Sequence, residues 1–370
     1  NNQLDPSTSG IGRNLGLASS ALPTFRTGRA RFINHLLSRV IFPEADLAGL
    51  DQKEVRRIDW GQRAMYATAL VVLGVFGVVW ASGFSGNHAR LEQLREIAAL
   101  RPLPVLLEKP ACTHLDDVRE LAALGQSYPA PIWVAMEYRY MPPVARLAEE
   151  VHSQANTGPV TLLSICEHRF PFLVKVGDWN RFNRYTGGTL VEKCCHFFDL
   201  MRHLTRSEPV RVFASAAADH NHLDERYPDG TPDIVDNAYV IVDFASGQRA
   251  LLELCMFAEG ARYQEEISVV GAQGKAECFV PGPGRFWPAH LGAAPVPKVV
   301  ISPRDPKGPW ELDVPVDPVA LAAGDHNGST LYQHQRFNAV VRGEGQVEVS
   351  LNDGLAAVMM GLAAQESART

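Results

Sequence analysis

The sequence predicts an α/β protein of two domains, a unit of parallel strand-helix-strand crossovers followed by an α+β unit built on one large sheet. Three observations carry that expectation. At 370 residues the chain is too long for one compact core of usual size. From residue 75 onward, short apolar runs alternate with amphipathic segments of helical period, which is how parallel crossovers read. Beyond residue 158, longer runs with period-two alternation follow one another between turn residues, which is how a sheet with hairpins reads.

Taken in order, "VFGVVWAS" (75–82) is uniformly apolar, as a strand covered on both faces requires. "NHARLEQLREIAAL" (87–100) has the pattern of an amphipathic helix. "PVLLEKP" (104–110) is a second apolar strand that ends in charge at Glu108 and Lys109 before Pro110 stops it. "THLDDVRELAALG" (113–125) opens with Thr113 and Asp116 at capping-box spacing and closes at Gly125. "PIWVAM" (131–136) supplies another strand, and "MPPVARLAEEVHS" (141–153) a helix whose prolines sit in its first turn.

The second half opens with the strand "PVTLLSICEHRF" (159–170), and "GGTLVEKCCHFFDLMRHL" (187–204) then reads as one helix packed on a sheet face. Strands follow at "PVRVFASAAA", "VDNAYVIVDF", "RALLELCMF", "EEISVVG" and "KAECFVPG". The second and third of these form a hairpin with Ser246 and Gly247 in its turn, so part of the sheet is antiparallel. Residues 281–320, rich in Pro and Gly, read as an excursion loop, and "STLYQHQRFNAVVRG" and "LNDGLAAVMMGLAAQESA" close the chain as two helices.

Lys+Arg 35 against Asp+Glu 41 leaves a mildly acidic chain with no basic surplus to recruit nucleic acid. The six cysteines lack CxxC pairs and read as reduced thiols, which suggests the cytoplasm. The uncharged stretch 64–82 is long enough to span a bilayer, but its breaks at Thr68, Gly74 and Gly77 and the α/β pattern after it favour a buried helix-to-strand passage. The opening NNQLDPSTSG has neither the basic nor the apolar region of a signal peptide. No membrane partner is expected.

Helix 187–204 carries an apolar stripe of Leu190, Cys194, Phe197, Met201 and Leu204. Glu192, His196, Asp199 and His203 follow the same rhythm on the other side, in a strip too narrow for an ordinary solvated face. Ligands of parallel sheets sit beyond the carboxyl ends of strands, which places "SGFSGNH" (82–88) and Glu108-Lys109-Pro110 in binding territory.

"EKP" closing a parallel strand, "GG" leading into acid-x-x-x-His-x-x-Asp, and the pattern from Gly328 to Ala368 stand in that order. With these motifs the sequence resembles the glucose-fructose oxidoreductase / inositol dehydrogenase / MocA (Gfo/Idh/MocA) family from about residue 75 to the end. The resemblance implies a Rossmann-type dinucleotide-binding domain over 1–140 and a C-terminal α+β domain over 141–370 with a large open, mainly antiparallel sheet. The terminal helix would pack back on the first domain. It implies NAD or NADP as cofactor, hydride transfer at a hydroxyl or carbonyl of a sugar, inositol-like polyol or related small molecule, and a homodimer or homotetramer joined through the sheet. Lys109 matches the family lysine, His196 the family histidine, and Glu192 stands where the family usually has Asp. In that scheme His196 takes the hydroxyl proton, Lys109 steadies the alkoxide and Glu192 orients the imidazole. Asp199 is structural.

Cofactor contacts are expected from Ser82, Asn87, His88, Glu108, Lys109 and Pro110, with Gly10 and Gly12 of "SGIGRNLG" as the glycine-rich loop. The substrate pocket is expected to take Tyr138, Arg139, Arg169, Trp179, Asn183 and His196. Arg139 and Arg169 suit either an anionic group or internal ion pairs. Residues 1–75 depart from the pattern, since no buried first strand precedes "SGIGRNLG" and no second strand ending in an acid follows it. Two alternatives therefore stand beside the oxidoreductase: an inactive family member that binds a ligand or partner, and a metal-dependent isomerase or lyase using Glu192, His196 and Asp199. The main reading has no metal.

Overall fold

The computed structural model describes residues 56–71 and 101–370, residue 229 excepted. The chain divides into two units, Asn1–Arg95 and Glu96–Thr370. In the first, residues 56–71 form helix α1, exposed along its length. Among the described residues no helix is long and apolar enough to cross a membrane. The strand expected at 75–82 and the helix at 87–100 lie outside the described residues.

The second unit begins with a crossover. Strand β1 (Val105–Leu107) pairs in parallel with β2 (Ile132–Val134), Leu106 opposite Trp133, and α2 (Leu115–Ser127) connects them. The capping box expected here does not form. His114 occupies the N-cap without a side-chain bond, Thr113 Oγ1 lies 2.8 Å from His114 Nδ1, and Asp116 pairs with Arg119. Gly125 does not end the helix either; a Cβ there would meet Leu351 Cδ2 at 2.7 Å, so the glycine admits a neighbouring helix rather than a cap.

Helix α3 (Pro142–Ser153) has its prolines in the first turn and buries Val144, Leu147 and Val151, the apolar positions of its 3.6-residue period. It packs on the sheet that follows. That sheet has eight strands: β3 (Val160–His168), β4 (Pro209–Ala217), β5 (Asn237–Phe244), β6 (Arg249–Cys255), β7 (Glu265–Gly271), β8 (Gly274–Val280), β9 (Lys298–Pro303) and β10 (Trp310–Asp313), in the order β10-β9-β8-β7-β3-β6-β5-β4. Only β3 and β6 run parallel; the other pairs are antiparallel, including the expected β5–β6 hairpin, whose turn holds Gly247 at φ 88°. Every second residue along β5, β7 and β8 is buried, which turns one face to the core. The stretch 281–320 is not a plain excursion, because β9 and β10 within it extend the sheet edge.

The helix expected over 187–204 is two helices, α4 (Thr189–Glu192) and α5 (Cys195–Thr205), broken at Lys193 and Cys194. Its apolar stripe is buried as expected, with Leu190, Cys194, Phe197 and Met201 all at 0% exposure. After a short helix α6 (Pro318–Ala323), α7 (Ser329–Val341) and α8 (Leu351–Ser367) complete the chain. Ser350 and Asp353 form a reciprocal capping box on α8. This last helix contacts α2, α4, α5, β2 and β4, and Gly361 lets it come so near α4 that a Cβ would lie 2.5 Å from the Leu190 carbonyl. All six cysteines are free thiols.

Candidate active site

The break in the helix decides the site's geometry. In an unbroken helix Glu192 and His196 would be neighbours one turn apart. Instead Glu192 turns to the end of β1, where Lys109 Nζ donates to Glu192 Oε1 and to its backbone carbonyl, both at 3.1 Å. Burial alone would lower the Lys109 pKa, but Glu192 outweighs it and raises the pKa, so the ammonium is retained. Burial likewise works against the Glu192 carboxylate, and Lys109 overrides it to hold the group ionised. Glu192 Oε2 is buried with no hydrogen-bond partner.

His196 is 1% exposed and its Nδ1 is also unpartnered. Its ring lies flat on Tyr138, centroids 4.2 Å apart and planes within 8°. Burial first, then the cations Lys109 and Lys193, with His326 and Arg169 adding, hold its pKa well below the usual histidine range. The imidazole is therefore neutral at pH 7.

Under this ring Lys193 Nζ donates to the Tyr138 hydroxyl at 2.5 Å and lies 2.8 Å from the fully buried Glu167. On the other side, His326 Nδ1 is 2.9 Å from Glu137 Oε1, and Thr330 Oγ1 donates to Glu137 Oε2 at 2.8 Å. Sequence reasoning missed Lys193 and His326 as parts of the site. The "GDHNGS" loop, three polar residues between glycines ahead of a helix, was the available signal for His326.

The remaining expected residues divide clearly. Arg139 is committed to an internal pair: Nε and Nη2 grip the two oxygens of Asp199 at 2.6 and 2.5 Å, and Nη1 reaches the Glu348 carbonyl. Arg169 sits over the Phe170 ring, 3.6 Å from Glu167. Asn183 binds Asp233 through its backbone N–H and side-chain amide, while Trp179 is 38% exposed in the turn Val176–Arg181. Glu108 is exposed and Pro110 half-buried beside Lys109. Gly10, Gly12, Ser82, Asn87 and His88 lie outside the described residues. Glu192, His196 and Asp199 do not converge, since Lys109 and Arg139 draw the two carboxylates apart, and among the described residues no three His, Cys, Asp or Glu side chains are placed to hold a metal.

A buried histidine near a lysine-carboxylate pair, at the carboxyl end of a parallel strand of an α/β protein, is a grouping whose chemistry suits proton transfer. Residues 156–370 match the model of the oxidoreductase family C-terminal α/β domain, and the chain belongs to that Gfo/Idh/MocA family. Residues 1–69, which include Gly10 and Gly12, match a different model, the IcmF-related N-terminal domain. The chain is similar to the rhizopine catabolism protein MocA of Rhizobium meliloti, 26% identical over 208 residues, 55% of this chain and 58% of that protein. It is 28% identical to the myo-inositol dehydrogenase Hyg17 of Streptomyces leeuwenhoekii over 149 residues, 40% and 43% of the two chains. It thus spans about half the length of these curated relatives. Its fold is also that of an oxidoreductase from Agrobacterium radiobacter solved with NAD+, L-tartaric acid and magnesium, with TM-score 0.55, 17% identity, and 75% and 74% of the chains covered.

Proposed function

We propose that the chain acts as an NAD- or NADP-dependent oxidoreductase on a hydroxyl or carbonyl of a sugar or inositol-like polyol. The observation that carries this reading is the neutral His196, its Nδ1 unpartnered, beside the Lys109–Glu192 pair. Two orphaned polar atoms, His196 Nδ1 and Glu192 Oε2, fit a hydroxyl-bearing guest. Glu108, Lys109 and Pro110 are the described residues that would hold the nicotinamide end of a dinucleotide, as they stand at a parallel strand's carboxyl end. When bound, that group supplies the hydride acceptor or donor.

The protein's own residues manage the proton and the charge. His196, neutral, accepts the hydroxyl proton at its free ring nitrogen. Lys109, kept charged by Glu192, stabilises the negative oxygen that develops. Similar proteins are a myo-inositol dehydrogenase and a MocA protein, which supports a polyol as substrate. The outer sheet face, with Val210, Phe213, Tyr239 and Ile241 exposed, supports assembly of copies through the sheet. A cytoplasmic location and no nucleic-acid partner complete the reading.

A second reading has its own observation. Residues 1–69 match an IcmF-related N-terminal domain where the dinucleotide fold should begin, which favours a ligand-binding or interaction protein without turnover. Calorimetric titration with NAD, NADH, NADP and NADPH separates the two, followed by polyol assays reading the ultraviolet absorbance of reduced nicotinamide. Micromolar binding of one dinucleotide is expected, with turnover reduced by about 10²-fold or more in Lys109→Ala and in His196→Ala. A folded protein that binds no dinucleotide would establish the second reading.

A further inference from the structure

A cavity of about 560 Å³ has His326 in its wall, and the chemistry above does not use it. Loops following β8 and β10 and preceding β9 and α7 wall it, and its polar lining is Gln264, Glu265, Arg285, Asp325, His326 and Asn327. Glu265 is only 3% exposed, with the Gln264 amide donating to its Oε1 at 2.6 Å. Burial, reinforced by the neighbouring Glu167, pushes its carboxyl up to about 7.

The backbone supplies an independent observation. His326 and Asn327 are consecutive non-glycine residues in the left-handed region, at φ 61° and 54°, followed by Gly328 at φ 75°. Such conformations are held only where the surroundings enforce them, and they gather at ligand sites. Here Glu137 binds the His326 ring, which stands edge-on to Tyr138 at 5.1 Å and 6.5 Å from the His196 ring. One imidazole thus borders both the catalytic histidine and the cavity. An Arg285–Asp325 ion pair ties the two loops across the cavity wall.

We propose that this cavity is a second sugar-binding subsite, which takes the hydroxyl-rich part of the substrate that lies away from the reacting carbon, with His326 at the junction. The inference rests on the sugar or polyol reading of the catalytic cleft. Its size falls within the ~300–1,000 Å³ that holds whole small-molecule ligands, so there is room for a sugar ring. Two amides, a carboxyl and an imidazole offer both donors and acceptors, which suits hydroxyl groups that do both.

The test is calorimetric titration of the full chain with myo-inositol and with galactosyl-myo-inositol, in the unmodified protein and in Ala322→Trp. Ala322 lines the cavity but is exposed, so the indole fills space without disturbing the core. The galactoside is expected to bind about tenfold tighter than myo-inositol. Ala322→Trp is expected to remove that advantage and leave myo-inositol affinity unchanged. Equal affinities in the unmodified protein, or an advantage that survives Ala322→Trp, would overturn the subsite alone. Binding of neither ligand would overturn the polyol reading with it.

Discussion

Helix α5 carries two buried polar residues one turn apart, His196 and Asp199, and the protein treats them in opposite ways. Asp199 has both oxygens satisfied by the planar fork of Arg139, and Arg139 spends its remaining nitrogen on a carbonyl. His196 has a ring face against Tyr138 and an unpartnered Nδ1, and nearby Glu192 leaves Oε2 unpartnered as well. A fully paired buried charge is architecture, whereas a buried polar atom without a partner costs stability and leaves a bonding position open. The difference separates scaffold from site within a single helix.

Asp199→Ala is expected to have the largest effect. It strands the Arg139 guanidinium, whose side chain is only 10% exposed, without its counter-charge. Denaturant unfolding is expected to show a loss of about 3–5 kcal/mol. A loss below about 1 kcal/mol would mean that the pair is no scaffold element.

A smaller effect comes from a second scaffold pair, Arg181 with Glu225, at 2.7 Å. Burial works against the Glu225 carboxylate, but hydrogen bonds from Arg181, Tyr227 and His222 bring its pKa from 4.5 down to about 2. Because the folded value lies below the unfolded one, this contribution is fully present above pH 4.5 and is lost as pH falls toward 2. Glu225 is about a third exposed, so solvent screens part of it. Melting temperatures measured from pH 5 to 2 should fall less steeply in Glu225→Gln than in the unmodified protein. Parallel curves would show that the pair has no pH-linked role.

What was readable in advance follows the same division. The fold class was legible because alternation and helical period are local signals, and α3, the β5–β6 hairpin and the two last helices stand where their patterns put them. The break at Lys193 was not, because nothing local marks it. The residue's ammonium is bound by Glu167 and by Tyr138, which lies 55 positions away in sequence. Strands β9 and β10 were hidden by the Pro- and Gly-rich segments around them. At the site, Lys109 and His196 were legible from motif order, but their partners were not. Whether Glu192 pairs with a histidine four residues on or a lysine 83 residues back is decided by the crossover of β1 and the bend after α4. The glycines at 10 and 12 belong to a segment that matches another family model, the IcmF-related N-terminal domain.

The smallest expected effect is the most telling. His196→Phe keeps a flat ring over Tyr138 and removes the ring nitrogens, one of them buried without a partner. Leaving a polar atom buried and unsatisfied costs about 1–3 kcal/mol, and a phenyl ring is slightly larger than the imidazole it replaces, which takes some of that back. The two terms leave stability unchanged or raised by about 1 kcal/mol, against the several lost on removing Asp199. Residues kept for chemistry commonly show this sign, because the unpartnered group is retained at the expense of the fold. Denaturant unfolding of the variant decides the matter. If His196→Phe proves as damaging as Asp199→Ala, then His196 belongs to the scaffold, and the contrast along α5 no longer identifies the active site.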